Sequence, residues 1–126
     1  MSVSPRTMFT FRVRADRMPE YRARHAAVWP DMLRALHAAG YRNYSIFTSE
    51  DGLVVGYAEI EDLAATDAAM HASEVNTAWQ AEMAQFFETA GPDEEMNLLT
   101  EAFHLETQLA AANATTNPAT TTEKDA

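Results

Sequence analysis

The chain has 126 residues, a hydrophobic fraction of 47% and a formal net charge of -10, which fits one domain with a modest core. That charge excludes partners held through a basic patch, nucleic acid and anionic membrane surfaces alike. It leaves neutral small molecules and other proteins open, while the lack of cysteine excludes disulfides, thiolate chemistry and cysteine metal sites.

Met1–Thr7 reads as a loose lead without the continuous apolar run of a signal peptide. No stretch is long enough to span a bilayer, so a cytoplasmic location is the default expectation. From Met8 to Arg14 the residues alternate, with Phe9, Phe11 and Val13 on one face and Thr10, Arg12 and Arg14 on the other. That period is the mark of a half-buried strand. Asp16 is expected to cap the next helix, and Pro19 falls in its first turn, where a missing N–H costs little. This helix carries Tyr21, His25 and Val28 inward, and then meets Trp29-Pro30. Proline crowds the carbonyl four residues back, that of Ala26, so the helix is predicted to kink or restart. Met32, Leu33 and Leu36 continue the inward stripe, and Gly40 ends it.

Asn43–Thr48 and Leu53–Ile60 read as strands joined by a turn over Ser49–Gly52, whose Asp51-Gly52 pair is a strong hairpin signal. Asp62–His71 is Ala-rich and helical. Val75–Phe87 reads as a separate amphipathic helix, with Val75, Trp79, Met83 and Phe86 on one stripe. Gly91-Pro92 marks a loop, Asn97–Leu105 a closing strand, and Thr107–Ala126 an Ala/Thr/Asn-rich tail expected to be disordered.

This order gives an α+β domain over residues 8–106, a ferredoxin-like split βαβ arrangement with helices on one face of an antiparallel sheet. Several strands are apolar on both faces: Tyr44 and Ile46 against Phe47, Val54 and Ile60 against Leu53 and Val55. Helices cover one face only, so the pattern predicts a homodimer formed sheet to sheet.

Of the four histidines, His37 and His71 read as exposed helix residues and His104 as a strand residue of undecided environment. None has the spacing of a helical zinc site, and no metal is expected. Phosphate loops, nucleophile elbows and hydrolase triads are also lacking. What remains is Tyr21 and His25, stacked four residues apart just before the Trp-Pro break, with aromatic faces at Trp29, Tyr44 and Trp79. Imidazole exchanges protons near neutrality, and aromatic faces stack on the apolar face of a sugar ring. Residue type and spacing alone equally allow Tyr21 and His25 to be half-buried helix residues, and for Trp79 the helical stripe by itself favours a core residue.

The run Tyr21-x-x-x-His25, V-W-P-D-M at Val28–Met32 and N-Y-S-I-F at Asn43–Phe47 resembles the L-rhamnose mutarotase family. V-N-T-A-W-Q-A-E-M at Val75–Met83 and E-A-F-H-L at Glu101–Leu105 fall where that family has its Trp-bearing helix and closing strand. The resemblance implies a dimeric α/β barrel that interconverts the α and β anomers of L-rhamnose, without metal or organic cofactor. It implies His25 as proton donor, Tyr21 and Tyr44 as substrate contacts, and Trp79 as the first of two tryptophans lining the sugar site; the chemistry makes Tyr21 a second catalytic candidate, orienting the sugar or relaying the second proton. Gln80 stands at the second, exchanging a stacking surface for an amide. Two other readings stay open: a cofactor-free oxygenase of the same barrel fold, and a non-catalytic dimeric sugar-binding module.

Overall fold

The computed structural model describes residues 5–87 and 96–114. The first alternating run forms β1 (Arg6–Arg12), with Phe9, Phe11 and Val13 buried. It begins earlier than expected, because β3 (Leu53–Glu59) is long enough to pair with Arg6 and Thr7 through Glu59 and Ala58. The loose lead therefore does not reach Thr7; Met1–Ser4 lies outside the described residues.

A short 3-10 turn (Ala15–Arg17) leads into α1 (Met18–His25). Asp16 sits inside that turn, and Arg17 occupies the cap position without a side-chain bond, so the expected cap is not made. Pro19 does fall in the first helical turn. The break at Trp29-Pro30 is present: α1 ends at His25, and Trp29 is extended, with ψ at 135°, as a residue before proline must be. Pro30 then opens α2 (Pro30–Ala39). Gly40 ends α2 at φ +122°, where a side chain would be strained, and a Cβ there would stand 2.6 Å from Thr66 Oγ1. Thr66, buried on α3 (Leu63–His71), uses that hydroxyl to donate to the Ala39 carbonyl at 2.7 Å, tying the two helices together.

β2 (Arg42–Thr48) and β3 form the expected hairpin, with Gly52 at φ +100° in the turn and a register irregularity between Arg42 and Ser45. Asp62 caps α3 by accepting from the Ala65 N–H, and Ser73 caps α4 (Glu74–Met83) by accepting from Asn76 N–H. A 3-10 turn (Ala84–Phe86) extends α4, so the apolar stripe ends with Trp79, Met83 and Phe86 buried and Val75 packed against them. β4 is only Asn97–Leu99. The closing strand was expected to reach Leu105, and the tail to be disordered from Thr107; instead Leu105–Ala114 forms α5. Alanines and leucines favour the helix. His104 starts it: its carbonyl accepts from Gln108 N–H and its Nδ1 from Thr107 N–H. Residues 115–126 and the Gly91-Pro92 loop lie outside the described residues.

The sheet is antiparallel throughout, in the order β2-β3-β1-β4, which is the expected split βαβ topology. One face meets α1 to α4 in a core built on Phe9, Phe11, Met18, Tyr21, Met32, Val54 and Phe86. At its centre the Phe9 ring lies across Gly56, its cross-strand partner. The other face carries Met8, Tyr57 and Leu99 in one row and Phe47 and Val55 in the next. No described helix is long and apolar enough to cross a membrane.

A Cβ at residue 56 would fall 2.3 Å from Phe9 Cζ, so Gly56→Ala must push the ring out of its place. Overpacking of this kind costs about 1–3 kcal/mol, and urea denaturation should show the midpoint falling accordingly, more so for Gly56→Val.

Candidate active site

A cavity of about 590 Å³ opens between the core face of the sheet and the helices. Its walls are largely apolar, from Phe9 and Phe11 on β1, Tyr44 and Ile46 on β2, Met32 and Leu36 on α2, and Met83 on α4. Leu33, expected inward, does line this cavity, yet stays 52% exposed because it sits at the opening.

α1 and α4 deliver the aromatic cluster. Tyr21 and His25, one helical turn apart, stack with ring centroids 4.3 Å apart, and His25 meets the Trp79 ring edge-on at 5.5 Å. Trp29, held extended by the following proline, packs edge-on against the other tryptophan at 5.0 Å. Trp79 is thus both core and cavity wall: 6% exposed, and in contact with His25. Tyr44 lies across the cavity floor and stacks on Tyr41 at 4.7 Å.

Hydrogen bonding fixes the imidazole. His25 Nδ1 lies 3.0 Å from the Tyr21 carbonyl oxygen. A carbonyl only accepts, so Nδ1 carries the hydrogen, and in the neutral ring Nε2 keeps its lone pair. Burial pulls the imidazole below its ordinary value of 6.5, opposed in part by that same hydrogen bond. Near pH 7 His25 is therefore neutral, with a basic Nε2 as the nitrogen left for a ligand. Burial pushes the phenols of Tyr21 and Tyr44 up, with the neighbouring phenols adding to the effect at Tyr44. Both stay protonated hydrogen-bond donors at any physiological pH, and neither hydroxyl has a hydrogen-bond partner among the described residues.

Polar groups that pattern reading did not single out also line the cavity: Thr7, Arg22, Thr48, Asp67, His71 and Asn76. Arg22 Nε donates to Thr48 Oγ1 at 2.8 Å, and its Nη2 donates to Glu50 at 3.2 Å. Asn76 Nδ2 donates to the Met70 carbonyl at 3.0 Å, leaving its Oδ1 to accept from Gln80 Nε2 at 3.2 Å. This anchors the Gln80 amide by its nitrogen, on the cavity wall. His37 is exposed as expected, His71 is exposed but reaches the cavity rim, and His104 is half-buried at the start of α5. Among the described residues no group of histidines and carboxylates could hold a metal ion.

The structure therefore brings Tyr21, His25, Tyr44, Trp79 and Gln80 to one cavity. Against that geometry, the sequence profile described as L-rhamnose mutarotase matches residues 6–105. The chain belongs to the L-rhamnose mutarotase family. An L-rhamnose mutarotase of Oceanobacillus iheyensis is 34% identical over 100 residues, covering 78% of this chain and 95% of that one. The Lachnoclostridium phytofermentans L-rhamnose mutarotase is 32% identical over 103 residues, covering 80% and 98%. In three dimensions the crystal structure of an L-rhamnose mutarotase from Formosa agariphila superposes with a TM-score of 0.68 at 21% identity, over 80% of this chain and 98% of that one. The mutarotase family match ends at residue 105, so nearly all of α5 lies beyond it.

Because burial holds His25 below 6.5, the unfolded chain binds that proton more tightly than the folded one. The contribution to stability is fully present above pH 6.5 and is lost as pH falls through the window between 6.5 and the lower folded value. Urea midpoints measured across that window should decline in the wild type, with a shallower decline in His25→Gln.

Proposed function

We propose that the chain interconverts the α and β anomers of L-rhamnose, or of a related 6-deoxy hexose, by acid–base assisted ring opening. The observation that carries this reading is the state of His25: its Nδ1–H is committed to the Tyr21 carbonyl, and its neutral Nε2 remains for a ligand beside Tyr21 and Trp79. Ring opening needs a proton removed from the anomeric hydroxyl and one given to the ring oxygen. Nε2 takes the first, which makes the ring an imidazolium, and the imidazolium then gives a proton to the ring oxygen, the donor role implied by the family. Rotation about C1–C2 presents the other carbonyl face, and the same steps in reverse close the ring. Trp79 and Tyr44 offer surfaces for the apolar side of the sugar, and the Tyr21 phenol and the Gln80 amide offer groups for its hydroxyls. None of these steps calls on a metal or an organic cofactor.

The polar fringe of Arg22, Thr48, Asn76 and Gln80 suits a sugar better than the aromatic substrate an oxygenase of this fold would take. A pure binding module differs from the enzyme in one measurable respect, the need for His25. Magnetization-exchange NMR on L-rhamnose should show anomer exchange accelerated by wild type, and by His25→Asn at a rate lower by about a hundredfold or more. Acceleration that survives the substitution would rule out the acid–base role.

The open face of the sheet supports a homodimer in which two sheets pack face to face, closing a dimeric α/β barrel. Phe47 is 63% exposed, Leu99 51% and Met8 38%, large apolar side chains left uncovered on one face of the sheet, as at an interface. Light scattering after size exclusion should give twice the monomer mass, and Phe47→Asp should shift it toward the monomer. A monomeric wild type at micromolar concentration would dismiss the barrel.

A further inference from the structure

The proton route above places developing negative charge on the ring oxygen before its proton arrives. When the bond between C1 and the ring oxygen breaks, its electron pair moves to that oxygen, which bears negative charge until His25 returns the proton taken from the anomeric hydroxyl. His25 supplies its proton through Nε2 alone, because its Nδ1–H is held by the Tyr21 carbonyl, so until that transfer is complete the imidazole offers the ring oxygen no second donor. The Tyr21 and Tyr44 phenols are neutral.

We propose that Arg22 is a second catalytic residue, its guanidinium donating to the ring oxygen as the hemiacetal opens. This rests on the mutarotase reading and extends it. Arg22 is the only lysine or arginine among the described residues that line the cavity. It stands three residues before His25 on α1, and side chains at that spacing are neighbours, with Cβ atoms about 5–6 Å apart, so both can address the same edge of a pyranose, where the ring oxygen and the anomeric hydroxyl share C1. Its head is fixed rather than free: Nε is held by Thr48 Oγ1 and Nη2 by Glu50, while Nη1 has no partner among the described residues. The Glu50 side chain is 88% exposed, so water screens that ion pair and leaves the charge of Arg22 available to the cavity. Guanidinium does not give up its proton, so the contribution is electrostatic, a preorganised donor where charge develops. The proton account is unchanged: it leaves the anomeric oxygen, resides on Nε2, and ends on the former ring oxygen.

The test is anomer-exchange NMR on L-rhamnose over a concentration series with wild type, Arg22→Gln, Arg22→Lys and Glu82→Gln, which weakens the Arg24–Glu82 ion pair that ties α1 to α4. Arg22→Gln is expected to lower kcat by about a hundredfold, the usual loss of a transition-state donor, with KM changed by less than about threefold. Arg22→Lys, which keeps the charge without the planar fork, should recover part of the loss. Glu82→Gln should match wild type. If Arg22 acts only by tethering α1, Glu82→Gln will lose activity alongside Arg22→Gln, and the proposal is overturned. Unchanged kcat in Arg22→Gln overturns it as well. Should Arg22→Gln fail to fold, judged by circular dichroism, Arg22→Lys decides: a kcat no better than the uncatalysed rate overturns the proposal, and partial activity supports it. A wild type that accelerates nothing overturns the mutarotase reading itself, an outcome distinct from these.

Discussion

The architecture depends on one backbone constraint, the ring of Pro30, which crowds the turn before it and holds Trp29 out of helical geometry. An unbroken helix from Met18 to Ala39 would run about 33 Å, against roughly 23 Å for a seven-residue strand, and would overhang the sheet it has to cover. Ending α1 at His25 and restarting at Pro30 divides that length into two segments, both of which lie on the same face. The break also sets Trp29 in an extended conformation, from which its ring reaches Trp79 on α4. The contact closes one end of the core, and Trp79 in turn backs the His25 imidazole.

The chemistry of the cavity follows from how α1 terminates. In the last turn of a helix the side chain of His25 can reach the backbone carbonyl one turn earlier, and that bond decides the tautomer without any other side chain taking part. Aromatic walls then remove water from the ring and favour its neutral form. Pinning one nitrogen to the backbone and desolvating the ring yields a neutral base from a residue that would otherwise be partly charged near neutrality. The cavity's few polar groups are similarly anchored: Arg22 by Thr48, Gln80 by Asn76, and Asn76 by the Met70 carbonyl. Side chains held this way lose little freedom when a ligand arrives.

The elements governed by local chemistry were readable from the sequence. The Trp-Pro break, the Asp51-Gly52 hairpin, the Gly40 terminator and the alternation of β1 each follow from a backbone restriction or a period, and each is present, β1 starting two residues before its expected run. The stacked pair Tyr21 and His25 was readable for the same reason, since helical spacing alone brings the rings together. Features set by distant parts of the chain were not. Arg22 reads as a solvated helix charge, and only the approach of Thr48, 26 residues later, turns it into the cavity. Asn76 reads as a polar residue in a first helical turn, its hold on Gln80 depending on side-chain direction rather than on composition. Asp16 loses its capping role because the chain enters α1 through a 3-10 turn. β4 and α5 were misread because alternation among Asn97–Leu105 persists after the backbone has left the sheet, and because an Ala-rich stretch resembles a disordered tail and a helix equally well.

The brevity of β4 gives the two edges of the sheet unequal cooperativity. β2 is held by a long hairpin register closed locally in the chain, whereas β4 pairs with β1 through Met8, Phe9 and Thr10 only, from the far end of the domain. Contacts with large sequence separation and few hydrogen bonds form late in folding and open first in the native state. Met96 and Leu98, beside and within this strand, form one wall of the cavity. Transient release of three residues at that edge therefore exposes the cavity without disturbing the helices that hold His25 and Arg22. Amides of β1 that face β4 would exchange with solvent sooner than those that face β3, making the sheet a scaffold with one rigid side and one that yields.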